Sequence, residues 1–270
     1  WGTTLANLLA QKGHEVNLWV REPELLKEIQ DKKENSWFLP GVALNPNLKT
    51  DSELKNVLCK ADYFLLAVPC QFLRQVLEQA LQFLPAKPIL ICASKGIEIS
   101  SLKTMSRVIE DILSELDPFY SILSGPSFAR EVSQQLPTAV SLGCAHKSLA
   151  QKLQKDLSTD TFRVYTNSDV LGVELGGAIK NIMAIASGIS DGLSFGHDTR
   201  AALITRGLAE MSRLGKALGA QARTFMGLSG MGDLVLTCTG DLSRNRNVGL
   251  KLGQGQSLKQ IISQMKMVAE

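Results

Sequence analysis

The stretch Gly172-Val173-Glu174-Leu175-Gly176-Gly177-Ala178-Ile179-Lys180-Asn181 sets two adjacent glycines just ahead of a lysine and an asparagine. Ile179, Ile182, Ala186 and Ile189 recur at the spacing of one buried helical face, so residues 178–187 read as a core helix opened by the glycine pair. Lys180 lies off that stripe. Its own face carries Gly176, Ala184 and Ser187, side chains small enough to leave room for a ligand lying along the helix. A closely packed neighbouring helix needs the same small residues, and the segment alone leaves both readings open.

Working outward toward the N-terminus, strand and helix alternate. Residues 3–12 read as a helix closed by Gly13, and residues 14–20 as a strand in which Val16, Leu18 and Val20 alternate. A helix followed at once by an apolar strand is a βαβ unit lacking its first strand, with Gly2 as the last glycine of a G-x-G-x-x-G turn. Next come a helix at 22–32, a Thr50 to Glu53 capping box, and an apolar run at 61–69 typical of a strand buried on both faces. A helix at 71–83, a strand at 88–93, a helix at 101–116 and a strand at 120–123 continue the pattern. This order predicts an open parallel sheet covered by helices on both faces, with ligands bound beyond the carboxyl ends of its strands. The loops there hold Arg21, Pro69-Cys70, Ser94-Lys95-Gly96 and Ser124-Gly125-Pro126-Ser127.

From about residue 167 only helical periodicity remains. Residues 198–218 form a long helix with Asp198 as N-cap and Gly219 as its stop, followed by the glycine-rich turn 227–232, Asp233, and the polar set Ser243-Arg244-Asn245-Arg246. A domain boundary is therefore expected near Thr166, giving an α/β domain over 1–166 and an all-helical domain over 167–270. The chain begins at Trp1 and stops at Val268-Ala269-Glu270 without a terminating signal, which reads as an internal piece of a longer protein.

Composition narrows the function classes. With 44% hydrophobic and 20% charged residues over 270 positions, the chain has the makeup of a globular protein with a real core. The formal net charge is +3 and basic residues are interleaved with acidic ones, unlike a nucleic-acid-binding stripe. The five cysteines are odd in number and form no C-x-x-C, which argues against a disulfide framework or a zinc site and for a reducing cytoplasm. His14, His146 and His197 are scattered and read as structural, so metal binding has no support. No apolar run approaches the roughly 20 residues of a membrane span.

Three sets of residues point to chemistry. Lys95 and Lys180 belong to different domains; brought together in a cleft, mutual repulsion and desolvation would lower their pKa values and fit them for proton transfer, with Asp233 holding one in place. Arg244, between Ser243 and Asn245, offers a planar fork of donors for a phosphate or carboxylate. Arg21 follows the second strand of the expected unit where an NAD-selective fold usually has an acid, so a 2′-phosphate should be tolerated.

Taken together, these stretches resemble the bacterial-type NAD(P)-dependent glycerol-3-phosphate dehydrogenases. The resemblance rests on Leu39-Pro40-Gly41, Ala67-Val68-Pro69, 95–98, 123–129, 137–139, 162–165, 172–181, 200–215, 224–227, 232–239 and 243–246, which span nearly the whole chain in order. It implies a Rossmann-like dinucleotide-binding domain followed by an all-α substrate domain, NADP(H) or NAD(H) as cofactor, a small phosphate substrate, a homodimer, and a supply role for glycerophospholipid synthesis. Lys180 matches the catalytic lysine, with Lys95 and Asp233 beside it. Lys95, Gly125, Ser127, Lys180, Asp233, Ser243, Arg244 and Asn245 match substrate contacts. Trp1, Arg21, Lys95, Ala129, Arg244, Val268 and Glu270 match cofactor contacts, with Phe72 near the adenine. A two-domain β-hydroxyacid dehydrogenase, or a catalytically silent NADPH-binding sensor, would share the fold.

Overall fold

The computed structural model describes residues 1–265, so Val268 and Glu270 lie outside the described residues. The first half runs α1 (Gly2–Gln11), β1 (Asn17–Trp19), α2 (Pro23–Lys32), β2 (Lys49–Asp51), α3 (Leu54–Leu58), β3 (Phe64–Leu66), α4 (Leu73–Ala80), β4 (Ile89–Cys92), α5 (Met105–Leu113) and β5 (Phe119–Ser124). It continues through α6 (Ala129–Ser133), β6 (Thr138–Cys144), α7 (Lys147–Leu157) and β7 (Phe162–Asn167). Among the described residues six α-helices follow: α8 (Val170–Gly192), α9 (Gly196–Ala217), α10 (Ala222–Phe225), α11 (Asp233–Thr239), α12 (Arg244–Gly253) and α13 (Leu258–Ser263).

The α/β reading stands, and the alternation appears as a five-stranded sheet of order β3-β4-β5-β6-β7, with β1 and β2 paired in parallel as a separate ribbon. β3, β4 and β5 are parallel, so the loops after them emerge at one edge. The sheet is not parallel throughout, because β6 runs antiparallel to β5, pairing Ser121 with Cys144 and Ser124 with Ser141. The sequence reading named neither β6 nor β7 as strands; β7 alternates buried Phe162 and Val164 with exposed Arg163 and Tyr165, an edge-strand pattern.

Two apolar clusters sandwich the sheet. One joins Leu5 and Leu8 of α1 to Ile91, Leu123, Val140 and Leu153, and the other joins Leu73 and Leu77 of α4 to Leu90, Ile122, Ile109 and Leu113. Gly13 ends α1 at φ +98° and Gly219 follows α9 at the same angle, as expected for left-handed helix stops. Two capping expectations fail. Thr50 lies in β2, and the donor at Glu53 is satisfied instead by Asp51 Oδ1 at 2.8 Å. Asp198 sits inside the first turn of α9, where it complements the helix dipole without capping.

The largest correction concerns α8, which is 23 residues long and is capped by Asp169, whose Oδ1 accepts from Gly172 N at 3.0 Å. Gly176 and Gly177 are mid-helix residues. A Cβ on Gly176 would sit 2.5 Å from the Ser229 carbonyl oxygen, and one on Gly177 2.5 Å from Ser124 Oγ. Of the isoleucine stripe, Ile179 is buried in the core of the helical half but Ile182 is 64% exposed, and the face with Gly176, Lys180, Ala184 and Ser187 is buried as well. Ser187 Oγ donates to the Cys238 carbonyl at 2.9 Å, and Cβ atoms on Gly188 or Gly249 would lie 2.0 and 2.1 Å from the facing backbone of α12 and α8. Much of the space along this face of α8 is thus taken by α11, α12 and the π-helical turn Leu228–Gly232. By length and composition α8 could cross a membrane, which the sequence reading did not foresee, but over half of its apolar window is buried inside the protein as a core helix.

Candidate active site

Lys180 is 8% exposed and Asp233 2%. Burial without partners would cost each several kcal/mol, and the neighbours offset part of that cost. Lys180 Nζ donates to Asp233 Oδ1 at 2.8 Å and to Thr237 Oγ1 at 2.7 Å. Thr237 stands one turn after Asp233 on α11, so the two present oxygens on the same face toward α8. The other carboxylate oxygen, Oδ2, accepts from Lys95 Nζ at 2.6 Å. Asp233 therefore holds both lysines, where the sequence reading assigned it to one.

Lys95 comes from the loop after β4 and donates also to the Gly125 carbonyl at 3.2 Å, which in turn accepts Ser127 Oγ at 3.1 Å. Both loops depend on glycine geometry. Gly96 has φ +142° and Gly125 φ +149°, and a Cβ on Gly125 would meet Val140 Cα at 3.0 Å. The sheet edge and the helical half thus meet through one carboxylate.

The electrostatics follow from this placement. Burial lowers the Lys180 pKa most, and the charge of Lys95 lowers it further; Asp233 opposes both, and the balance is about 8. Burial raises the Asp233 pKa, but the two lysines outweigh it and hold the carboxyl below its ordinary value. A group near pH 8 can serve as acid or base at neutral pH.

The remaining predicted residues fall into two other places. Ser243, Arg244 and Asn245 form the N-terminus of α12; Ser243 Oγ caps it by accepting Arg246 N at 3.2 Å, Asn245 is buried and Arg244 exposed. Arg246 is held by Asp191 of α8 at 2.8 Å, which fixes this turn against the lysine-bearing helix. Trp1, Arg21, Ala129 and Phe72 lie on the sheet side. Trp1 is the N-cap position of α1, whose first turn has no side-chain cap and no acid. Thr4 Oγ1 reaches the Ala129 carbonyl at 3.4 Å, so the start of α6 abuts that turn. Uncapped amides at the positive end of a helix fit the pyrophosphate of a dinucleotide. Arg21 is paired with Glu22 at 2.9 Å, its side chain 66% exposed, and Phe72 is 44% exposed. Thr237 is the residue that sequence reasoning passed over; its signal was the i, i+4 spacing from Asp233.

Among the described residues no cluster of His, Cys, Asp and Glu is arranged to hold a metal ion, and all five cysteines are free thiols. A dinucleotide-type sheet followed by a helical half, with two lysines converging on a buried aspartate where they meet, defines the class of two-domain nicotinamide-dependent dehydrogenases. Two family models match, described as the N-terminus and the C-terminus of NAD-dependent glycerol-3-phosphate dehydrogenase, over residues 1–150 and 169–270. The chain belongs to that family. It is 62% identical over 270 residues to a glycerol-3-phosphate dehydrogenase [NAD(P)+] of Maridesulfovibrio salexigens, covering 100% of this chain and 82% of the relative. A Citrifermentans bemidjiense protein of the same name is 58% identical over 271 residues, covering 100% and 81%. The crystal structure of glycerol-3-phosphate dehydrogenase from Coxiella burnetii superposes with TM-score 0.94 at 41% identity, covering 100% of this chain and 82% of that one.

Proposed function

We propose that this protein interconverts sn-glycerol 3-phosphate and dihydroxyacetone phosphate, and that Lys180 is its proton-transfer group. The observation that carries the reading is the Lys180–Asp233–Lys95 bridge, buried where the sheet edge meets the helical half. The nicotinamide cofactor, when bound, supplies or accepts the hydride at substrate C2. Trp1, the first turn of α1, Arg21 and Ala129 would hold it. Lys180 donates a proton to the C2 oxygen during reduction and takes it back during oxidation. Lys95 and Asp233 stabilise the charge on that oxygen and on the lysine. Gly125 and Ser127 line the substrate side, while Ser243, Arg244 and Asn245 grip the phosphate.

The proposal divides the chain near Thr166, supported by the end of β7 at Asn167 and the start of α8 at Val170. It includes a homodimer, a cytoplasmic setting and a supply role for glycerophospholipid synthesis. The test is nicotinamide absorbance with dihydroxyacetone phosphate against a panel of β-keto acids, using NADPH and NADH in turn. Turnover of dihydroxyacetone phosphate is expected. Turnover confined to β-keto acids would reassign the substrate, and cofactor binding without any turnover would leave a sensor.

A further inference from the structure

Glu174 is a buried acid of α8 that proton transfer at Lys180 leaves unused. It is 3% exposed, and no ion pair among the described residues involves it. Its carboxylate instead accepts three hydrogen bonds, from Ser106 N at 2.7 Å, Ser106 Oγ at 2.6 Å and the Tyr120 hydroxyl at 3.1 Å. Ser106 is the second residue of α5, whose own N-cap residue Thr104 makes no side-chain cap. Glu174 fills that role from another element, at the positive end of the α5 dipole. Burial raises the Tyr120 phenol well above its ordinary pKa, so it stays a donor.

The surroundings show what this contact controls. The α8 segment before Lys180 meets the sheet through glycines: Gly177 faces Ser124 Oγ, and a Cβ on Gly143 would lie 3.1 Å from Val173 Cβ. Such seats permit close approach, with Val173 the bulky side chain between helix and sheet and no polar anchor at these two glycines. A carboxylate gripped from two directions supplies that anchor. Its partners sit on the elements that flank Lys95: α5 follows the Lys95 loop, and β5 runs into Gly125, whose carbonyl holds Lys95.

We propose that Glu174 is a positioning residue: gripped by Ser106 and Tyr120, it sets the register of α8 on the sheet and so the placement of Lys180 Nζ relative to the substrate oxygen. The proposal rests on Lys180 as the proton-transfer group. The test compares Glu174→Asp, Glu174→Gln, Ser106→Ala, Tyr120→Phe and the Ser106→Ala/Tyr120→Phe double variant, reading kcat, KM for dihydroxyacetone phosphate, the Kd of NADPH and the melting temperature. Asp keeps the charge but falls short by roughly one C–C bond, 1.5 Å. Misplacement by about 1 Å can cost roughly 100-fold, so Glu174→Asp should lower kcat about tenfold or more with NADPH Kd nearly unchanged. Gln, of equal length, should lose less, and each donor deletion should lower kcat by a few fold.

A purely structural role would lower the melting temperature and leave kcat per folded molecule at the parental value. That outcome in Glu174→Asp overturns the proposal. Should Glu174→Asp not fold, parental kcat in the double variant overturns it equally. Parental turnover in Lys180→Ala would instead overturn the reading beneath it, so the two failures are distinguishable.

Discussion

Helices α5 and α8 share one apolar cluster on the sheet yet differ in what else they bury. α5 hides Met105, Val108, Ile109 and Leu113 and turns Arg107 and Glu110 to solvent. α8 hides Val173, Leu175 and Ile179, but also Gly176, Lys180, Ala184, Ser187 and Gly188, and exposes Ile182. A helix that meets its neighbour through side chains needs bulky apolar residues, whereas one that meets backbone at close range needs small ones. The second arrangement leaves gaps that polar groups can enter with their partners, and α8 uses them for Glu174 and Lys180. The lesson is that a stripe of isoleucines marks the whole of the buried surface only when packing is by side chain: Ile179 is buried, Ile182 is not, and the small-residue face is buried beside them.

The comparison can be broken first at its chemical end. Lys180→Ala should reduce turnover roughly 10²- to 10⁴-fold, the usual contribution of a proton-transfer group, with NADPH binding nearly intact. With Lys180 near pH 8, the sign of the pH dependence follows. Reduction uses the ammonium, so its rate should fall as pH rises through about 8; oxidation uses the free amine and should rise over the same window. Asp233 raises the lysine's pKa, so Asp233→Asn should move both profiles toward lower pH. Rates independent of pH between 7 and 9 would remove Lys180 from the proton transfer.

The packing contrast is sharpened by a matched pair. Ile109→Ala empties a fully buried site and should cost about 2–5 kcal/mol in denaturant unfolding. Ile182→Ala should change stability by no more than about 0.5 kcal/mol. A cost above roughly 1 kcal/mol at Ile182 would mean that the outer face of α8 is covered in the folded protein.

Smaller effects are expected where cations are exposed. Arg244→Lys keeps the charge and loses the fork, so KM for dihydroxyacetone phosphate should rise while kcat changes less. An unchanged KM would place the phosphate elsewhere. The smallest effect belongs to Arg21, whose exposure and pairing with Glu22 weaken any phosphate contact. Arg21→Ala should weaken NADPH by less than about tenfold, the value of an unscreened charge-assisted bond, and leave NADH nearly unchanged. Equal losses for both cofactors would mean that Arg21 reads no 2′-phosphate.

The sequence by itself determined the α/β alternation and the helical second half, and it named the residues of the candidate site: Lys95, Lys180, Asp233, and Arg244 between its polar neighbours. These are local properties, since periodicity, glycine stops and short motifs are written in consecutive residues. It did not show β6 running antiparallel, because strand direction depends on pairing partners far away in the chain. It marked Ile179 as buried but not the small-residue face of α8, because small residues serve a ligand or a close backbone equally well until the neighbour's position is known. Only the tertiary structure joined Asp233 to both lysines, added Thr237, and gave Glu174 its partners Ser106 and Tyr120, 68 and 54 residues away. Contacts at such separations are set by how the helices seat on the sheet, and no single segment contains them.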